Sequence, residues 1–126
     1  MSTMGLDIGT SGAKAVVFDD SGTQIADAYR EYATLMPQPG WAELDSREVL
    51  DACITVISEA AAECRTSDPV AAVGVSSQGE AFTAVDTNGS ILSNAMVSFD
   101  TRATGIAHDW SEAFGREQLY EITGHT

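Results

Sequence analysis

A short glycine-rich connection in the stretch MGLDIGTSGAKAVVFDDSGTQ, at residues 4–24, limits how this chain can fold. Residues 4–8 predict a short buried strand, and residues 13–19 predict a second because they contain the β-favouring run AVVF. DSG is a turn signal, after which residues 23–32 predict a third strand. Connections this short cannot hold a crossover helix, so the three strands are expected to form an antiparallel meander.

One long helix is predicted after a loop. Two prolines and a glycine break the segment 34–44, and Asp45 then supplies a side chain that can cap a helix. Glu48 follows three residues later, as in a capping box. The helix is expected to stop by Pro69. Its predicted buried face consists of the apolar residues at helical spacing: Val49, Leu50, Cys53, Ile54, Val56, Ile57, Ala60 and Ala61.

The second half of the chain predicts short strands followed by helices. Residues 70–76 (VAAVGVS) are expected to form a buried strand, and DTNG at 86–89 is a hairpin turn signal. Further strands are predicted at 81–85 and 94–99, and helices at 104–114 and 116–122. This order predicts an α/β fold whose mixed sheet has an antiparallel edge, with flanking helices, rather than an alternating βαβ chain.

The charge balance excludes one class of partner. The chain has 19 acidic and 6 basic residues among 126, a net charge of −13. Nucleic-acid binding requires a basic surface, so we expect no nucleic-acid partner. No stretch is apolar for long enough to span a membrane, and the start lacks the pattern of a signal peptide. We therefore expect a cytoplasmic protein without a membrane partner.

The cysteines and histidines predict neither a disulfide nor a structural metal. Cys53 and Cys64 fall in the same predicted helix, about 16 Å apart along its axis. A disulfide needs Cα atoms within about 7 Å, so both are expected to be buried free thiols. His108 and His125 have no metal-ligand spacing with the cysteines or with each other.

The first turn could hold a phosphate and its metal. Asp7 is a hard oxygen ligand suited to Mg²⁺, and Gly9 lets the backbone turn its N–H groups towards an anion. Thr10 and Ser11 can add hydroxyl donors, and Lys14 a positive charge. The same residues also suit an ordinary hairpin turn with an incidental aspartate, and spacing alone leaves both interpretations open. The turn matches neither the P-loop nor the Rossmann fingerprint.

Two later segments carry groups that suit sugar hydroxyls. SSQGEAF places Gln78 and Glu80 after a predicted strand, and SFDTR places Asp100 and Arg102 at the end of another. The first segment could equally be a polar turn. The Asp and Arg could bind polyol hydroxyls, pair with each other, or cap a helix.

Four segments in order, GLDIGTSGAKAVVFDDSG, PGWAELD, GVSSQGEAF and NAMVSFDTRA, resemble the start of FGGY-family carbohydrate kinases, which include xylulokinase, gluconokinase and glycerol kinase. The resemblance covers essentially the whole chain. It implies an actin-like ATPase (ribonuclease H-like) fold whose first hairpin reaches the phosphates of ATP, with ATP and Mg²⁺ as cofactors. In the PGWAELD loop it matches Trp41 and Glu43; we expect Trp41 to pack within the loop and Asp45 to cap the helix.

The resemblance assigns a role to each candidate residue. Asp7 would organise Mg²⁺, Gly9, Thr10 and Ser11 would face the transferred phosphate, and Lys14 would lie near it. The residues that would bind the sugar are Gln78, Gly79, Glu80, Asp100 and Arg102.

Three positions depart from the family patterns. Gly79 stands where glycerol kinases have Arg and xylulokinases have Met, and Glu80 stands where xylulokinases have His. Ser98 replaces a frequent Trp, which suggests a roomier or more polar sugar pocket. The expected substrate is a small sugar or polyol, with a xylulose-like ketose favoured over gluconate or glycerol.

Kinases of this family carry their catalytic aspartate and adenine-binding domain further along the chain. We therefore expect residues 1–126 to be a truncated N-terminal part of the first kinase domain, inactive alone, with the catalytic residue outside it. A small sugar or polyol and ATP are the expected partners, and a homodimer is left open. The alternatives are an actin-like nucleotide-binding scaffold and another phosphotransferase or ATPase of the same superfold.

Overall fold

Three antiparallel strands begin the chain, as the sequence predicts. The computed structural model describes residues 1–64 and 68–124. Strands β1 (Ser2–Ile8), β2 (Gly12–Phe18) and β3 (Gln24–Glu31) pair in sequence order through the two short turns. In the second turn Asp19 Oδ1 accepts hydrogen bonds from the N–H groups of Ser21 and Thr23, both at 2.9 Å. The predicted meander is confirmed.

A fourth strand joins this meander on the other side of β1. The remaining elements are β4 (Glu43–Leu44), α1 (Ser46–Cys64), β5 (Val70–Ser77), β6 (Ala95–Met96), α2 (Thr104–Phe114) and α3 (Arg116–Thr123). The first sheet has the order β3-β2-β1-β5, and β5 runs parallel to β1. A second, small sheet pairs β4 with β6. The mixed α/β architecture is thus confirmed.

Helix α1 supplies the cover for one face of the first sheet. Asp45 Oδ1 accepts from the N–H groups of Arg47 (2.9 Å) and Glu48 (3.2 Å), which confirms the predicted cap. The helix packs mainly on β2 and β3. Its buried residues are Ala52, Cys53, Val56, Ala60 and Cys64. The predicted face was too wide, because Leu50 and Ile54 lie on the outer side, each more than half exposed.

The prediction that residues 70–76 form a buried strand is wrong in its burial. The strand is present as β5, but Val73 and Val75 are 49% and 65% exposed. The physical reason is the position of the strand: within residues 1–64 and 68–124, β5 lies at the edge of the sheet, and α1 lies over β2 and β3 instead. The apolar sequence of residues 70–76 therefore predicts the strand correctly but does not predict whether other elements cover it.

The region between β5 and α2 contains less strand than predicted. Residues 81–85 form isolated bridges, Phe82 with Met96 and Val85 with Ile91, and the strand predicted over 94–99 shortens to β6. The turn predicted at 86–89 is present. Asp86 Oδ1 accepts from the N–H groups of Asn88 and Ser90, both at 2.8 Å.

Helices α2 and α3 pack on each other and bury no residue. Ile106, Trp110 and Phe114, at four-residue spacing along α2, are all more than half exposed. Cys53 and Cys64 are buried free thiols, as predicted. Among the described residues no helix is long and apolar enough to cross a membrane, and no cluster of His, Cys, Asp or Glu has metal-binding geometry. His125 lies outside the described residues.

Candidate active site

The turn between β1 and β2 is held in place by hydrogen bonds to its carbonyl groups. Gly9 O accepts a hydrogen bond from Tyr32 Oη at 2.7 Å and one from Gln78 Nε2 at 3.4 Å. Gly9 N–H in turn donates to Gly12 O at 3.0 Å and closes the turn. Side chains that follow the two outer strands, β3 and β5, therefore donate hydrogen bonds to the same carbonyl oxygen.

The next two carbonyls of the turn are held from the β3 side. Ser11 O accepts from Tyr32 N–H at 3.2 Å and from Tyr29 Oη at 3.3 Å. Thr10 O accepts from Thr34 Oγ1 at 3.5 Å. The N–H groups of Thr10 and Ser11, by contrast, donate to no acceptor within residues 1–64 and 68–124. The turn thus has its acceptors occupied and two donors available, which suits an anion.

Close packing explains why the residue after the turn is glycine. A Cβ at Gly12 would lie 2.6 Å from Arg30 O and 2.6 Å from the ring of Tyr29. Any larger residue would push β3 away from β2 at the point where β3 holds the turn. Gly12 therefore preserves the hydrogen bonds to the Ser11 carbonyl.

Asp7 and Lys14 lie beside this turn, on the face of the sheet that α1 does not cover. They are register partners across β1 and β2, and Ser76 of β5 is the partner of Asp7 on the other side. Both charged side chains are exposed. Together with the outer faces of Gly5 and Gly74 they border a groove of about 390 Å³. The structure thus brings together the acidic and basic residues predicted for metal and phosphate.

The second candidate segment continues directly from β5. Gln78 N–H donates to Ile8 O at 2.8 Å, extending the β1–β5 pairing. Gln78 Oε1 is buried and has no hydrogen-bond partner among the described residues. Gln78 borders a cavity of about 180 Å³ lined by Ile8, Leu44, Val49, Ser77, Ala81, Phe82, Thr83 and Ala95. A buried orphan acceptor beside a cavity is a suitable partner for a hydroxyl donor.

Glu80 has a strained backbone. Its φ is +61°, in the left-handed region that costs a residue with a side chain about 1–2 kcal/mol. It is the only such non-glycine position among the described residues, and the neighbouring Gly79 does not adopt a positive φ. Strain of this kind concentrates at functional sites, which is consistent with the predicted role of Glu80.

The third candidate segment forms an ion cluster with the PGWAELD loop. Arg102 Nε donates to both oxygens of Asp100 at 2.9 Å, and its Nη2 donates to Asp100 Oδ2 at 2.6 Å and to Glu43 Oε1 at 2.7 Å. Asp100 Oδ2 also accepts from Ala42 N–H at 2.8 Å. The Arg102 guanidinium lies 3.8 Å from the centre of the Trp41 ring. Trp41 thus contacts Arg102, and its predicted packing role within the loop stays a prediction.

These contacts fix the charge of the cluster. Hydrogen bonds from Arg102, above all, hold the pKa of Asp100 well below its usual range. Arg102, followed by Asn94, likewise lowers the pKa of Glu43. The hydrogen bond to Asp100 raises the pKa of Arg102. All three groups are therefore ionised at neutral pH, and the cluster has one net negative charge.

Of the alternatives open for Asp100 and Arg102, pairing with each other is present in the structure. Both oxygens of Asp100 are occupied by protein donors. A direct bond from Asp100 to a sugar hydroxyl stays a prediction, and it would have to share these oxygens. No contact joins this cluster to the turn at Gly9–Ser11 within the part of the chain described.

We predict that replacing Arg102 by Met lowers the Tm at pH 7 by several degrees. The substitution leaves two largely buried carboxylates, Asp100 and Glu43, without their shared cation. The wild-type contribution is present above the ordinary carboxyl pKa of about 4 and is lost as the pH falls below it, because both folded pKa values are lowered. Thermal unfolding from pH 7 to pH 2 should therefore show a smaller pH dependence in the variant.

The matched control is Arg47→Met, on the exposed side of α1. It should leave the Tm and its pH dependence near those of the wild type. Equal losses from the two variants would contradict a stabilising role for the ion cluster.

Sequence reasoning missed Tyr32. The side chain is buried, and burial is the main cause that raises the pKa of Tyr32 to about 12. The phenol therefore keeps its proton and remains a hydrogen-bond donor. The available signal was a tyrosine at the end of the strand predicted over residues 23–32. Its partner Gly9, 23 positions earlier, has no local signature.

Comparison with known proteins identifies the family. The FGGY family of carbohydrate kinases, N-terminal domain, matches residues 2–126. The chain belongs to this family. It is 36% identical over 124 residues to the L-xylulose/3-keto-L-gulonate kinase of Escherichia coli (strain K12), covering 98% of this chain and 25% of that protein. It is 34% identical to the glycerol kinase of Trichormus variabilis over 96% of this chain and 25% of that protein.

Solved structures agree with the fold of this FGGY chain. The xylulose kinase of Brucella ovis superposes with a TM-score of 0.85 at 29% identity, over 99% of this chain and 25% of that one. FGGY kinases have the actin-like ATPase fold, so the predicted fold class is confirmed. The chain spans about a quarter of the length of the relatives that it matches.

Proposed function

We propose that residues 1–126 are the N-terminal part of the first domain of an ATP-dependent sugar kinase. This kinase transfers the γ-phosphate of ATP to a hydroxyl of a small sugar or polyol. The observation that carries the proposal is the turn at Gly9–Ser11, with its carbonyls bonded to the protein and two N–H groups available. Family membership supplies the reaction class.

The phosphate side of the reaction rests on positioned charge. The N–H groups of Thr10 and Ser11 bind oxygens of the transferred phosphoryl group, and Lys14 offsets its negative charge. Asp7 is the residue that would hold Mg²⁺, a hard cation that shares phosphate oxygens and neutralises charge developing on them. A local positive field is needed because the chain as a whole has a net charge of −13.

The proposed sugar-binding part of the site consists mainly of hydrogen-bond acceptors. Gln78 Oε1 and the Glu80 carboxylate accept from hydroxyl groups, and Gly79 leaves room for the sugar. The Asp100–Arg102 pair is proposed to contribute further contacts to the sugar. Because Arg102 is outnumbered by two carboxylates, it offers little net positive charge to an anionic sugar. A neutral ketose of the xylulose type is therefore favoured over gluconate, and glycerol is also ranked below the ketose.

The direct test is a substrate panel with the whole kinase, ATP and Mg²⁺. Xylulose, ribulose, glycerol, gluconate and 3-keto-L-gulonate are compared by ADP release and by mass spectrometry of the phosphorylated product. We expect the highest kcat/KM with a neutral ketose. ATP hydrolysis that no sugar stimulates would instead support a nucleotide-binding scaffold or an ATPase of the same superfold.

Glu80 variants separate substrate binding from folding. Glu80→Gln is expected to raise the KM for the best sugar about tenfold, because a charged acceptor is lost from a hydrogen bond worth about 1.5–3 kcal/mol. Glu80→Gly should raise KM at least as much. The glycine variant should nevertheless be no less stable to urea than the wild type, because glycine relieves the φ of +61°.

Glu112→Gln, on the exposed surface of α2, is the control for loss of one carboxylate. Unchanged KM in both Glu80 variants would show that Glu80 does not contact the sugar.

A further inference from the structure

The Gly9 carbonyl, in the turn proposed to bind phosphate, accepts a hydrogen bond from the segment proposed to bind the sugar. Tyr32, just beyond β3, donates to it at 2.7 Å, and the side chain of Gln78, just beyond β5, donates to it at 3.4 Å. The backbone N–H of Gln78 is bonded to the preceding carbonyl, that of Ile8, at 2.8 Å. Gln78 therefore contacts two successive peptide units at the start of the turn at Gly9–Ser11, here named the phosphate turn.

We propose that Gln78 is a positioning residue that, together with Tyr32, fixes the Gly9 carbonyl. It thereby aligns the phosphate turn with residues 78–80, the segment proposed to bind the sugar. This inference rests on the proposed function. Its physical basis is that a peptide unit is planar, so holding the Gly9 oxygen also orients the N–H group of Thr10 in the same peptide. Thr10 N–H is one of the two donors left available to a phosphate.

The amide of Gln78 also serves the sugar side. With Nε2 committed to Gly9, Oε1 is left buried and without a partner among the described residues. A hydroxyl donor that occupies this acceptor would fix the amide plane and thereby strengthen the bond to Gly9. Sugar binding and phosphate alignment would then be coupled through one side chain.

The first arm of the test measures the turn itself, independently of catalysis. Hydrogen exchange of the Gly9 and residue-32 amides, which bond to Gly12 O and Ser11 O, is compared in wild-type kinase, Tyr32→Phe and Gln78→Met. Each variant should accelerate both exchange rates roughly five- to tenfold. Tyr120→Phe and Gln118→Met, both in α3, are the matched controls and should change neither rate.

The second arm asks what the alignment does. Tyr32→Phe should lower kcat roughly five- to tenfold with the sugar KM within twofold of wild type, whereas Gln78→Met should lower kcat and also raise the sugar KM. The double variant should lose less than the product of the two single effects, because both side chains hold one oxygen.

Gln78→Glu distinguishes a donor role from a space-filling one. A carboxylate cannot donate to Gly9 O, but a protonated carboxyl can. The kcat of this variant relative to wild type should therefore recover as the pH falls through the pKa of the new carboxyl. A ratio that does not depend on pH would overturn the donor role.

The outcomes separate this inference from the proposed function. Unchanged exchange at Gly9 in both variants would overturn the positioning role even if the kinase is active. Faster exchange with wild-type kcat would also overturn it and would leave the kinase assignment intact. Faster exchange in the two variants, combined with a wild-type protein that phosphorylates no sugar, would overturn the proposed function, and the alignment role with it.

Discussion

Replacing Asp7 by Asn is expected to lower the kcat of the whole kinase about 10²–10³-fold while leaving the protein folded. Asparagine keeps the shape of the side chain but removes the charge that would hold Mg²⁺ beside the transferred phosphate, and positioned charge is the main catalytic contribution in phosphoryl transfer. Because Asp7 is exposed on the uncovered face of the sheet, the free energy of unfolding should change by no more than about 0.5 kcal/mol.

The control for this variant is Asp27→Asn, an exposed aspartate in the neighbouring part of the same sheet. It should retain wild-type kcat. A titration with Mg²⁺ completes the test, since Asp7→Asn should need a higher concentration for half-maximal rate. Wild-type turnover with an unchanged Mg²⁺ requirement would remove Asp7 from the site.

The second large effect is loss of phosphate transfer when residues 1–126 are tested alone. We expect the base that deprotonates the attacking hydroxyl to lie outside this segment, as the family resemblance implies, and positioned proton transfer contributes about 10²–10⁴-fold. The adenine-binding domain is likewise expected elsewhere, so ATP would contact only one side of its cleft. We expect ADP release in the presence of Mg²⁺ and the sugar panel to stay at the rate of the buffer.

Circular dichroism establishes whether this segment is folded in the assay. Its exposed apolar residues, including Val75 and Trp110, predict self-association, which analytical ultracentrifugation would detect. Turnover of about 1–100 s⁻¹, the ordinary range for kinases, would place the base within residues 1–126 and contradict the proposed division of the protein.

The parts of the fold that the sequence predicts well are those set by local chemistry. Short turns with glycine dictate the meander of β1–β3, and the carboxylate of Asp45 caps α1 as its position indicates. The predicted helix over 104–114 coincides with α2. In each case the residues responsible lie within a few positions of the structure that they determine.

The parts that the sequence could not predict depend on distant neighbours. Periodicity placed Leu50 and Ile54 on the buried face of α1, but the width of that face is set by the strands beneath it. The exposure of β5 likewise depends on what lies over it. No local pattern indicates that Tyr32 would bond to Gly9, or that Arg102 would join Glu43, 59 positions earlier.

In the candidate site, too, some features follow from the local sequence and others depend on distant residues. The residue types in GLDIGTSGAK identify groups suited to phosphate and Mg²⁺, and the register of β1 and β2 places Asp7 opposite Lys14 as a direct consequence of the meander. Which groups of the turn remain available is a tertiary property, because it depends on Tyr29, Tyr32 and Gln78 occupying its carbonyls.

We propose that the turn at Gly9–Ser11 receives the phosphate that the whole protein would transfer. The most direct measurement is a crystal structure of the whole kinase with Mg²⁺, a non-hydrolysable ATP analogue and its best sugar. We predict oxygens of the terminal phosphate within about 3 Å of the N–H groups of Thr10 and Ser11, with the metal on the side of Asp7. A terminal phosphate bound elsewhere, with the amides of Thr10 and Ser11 facing only water, would contradict the claim.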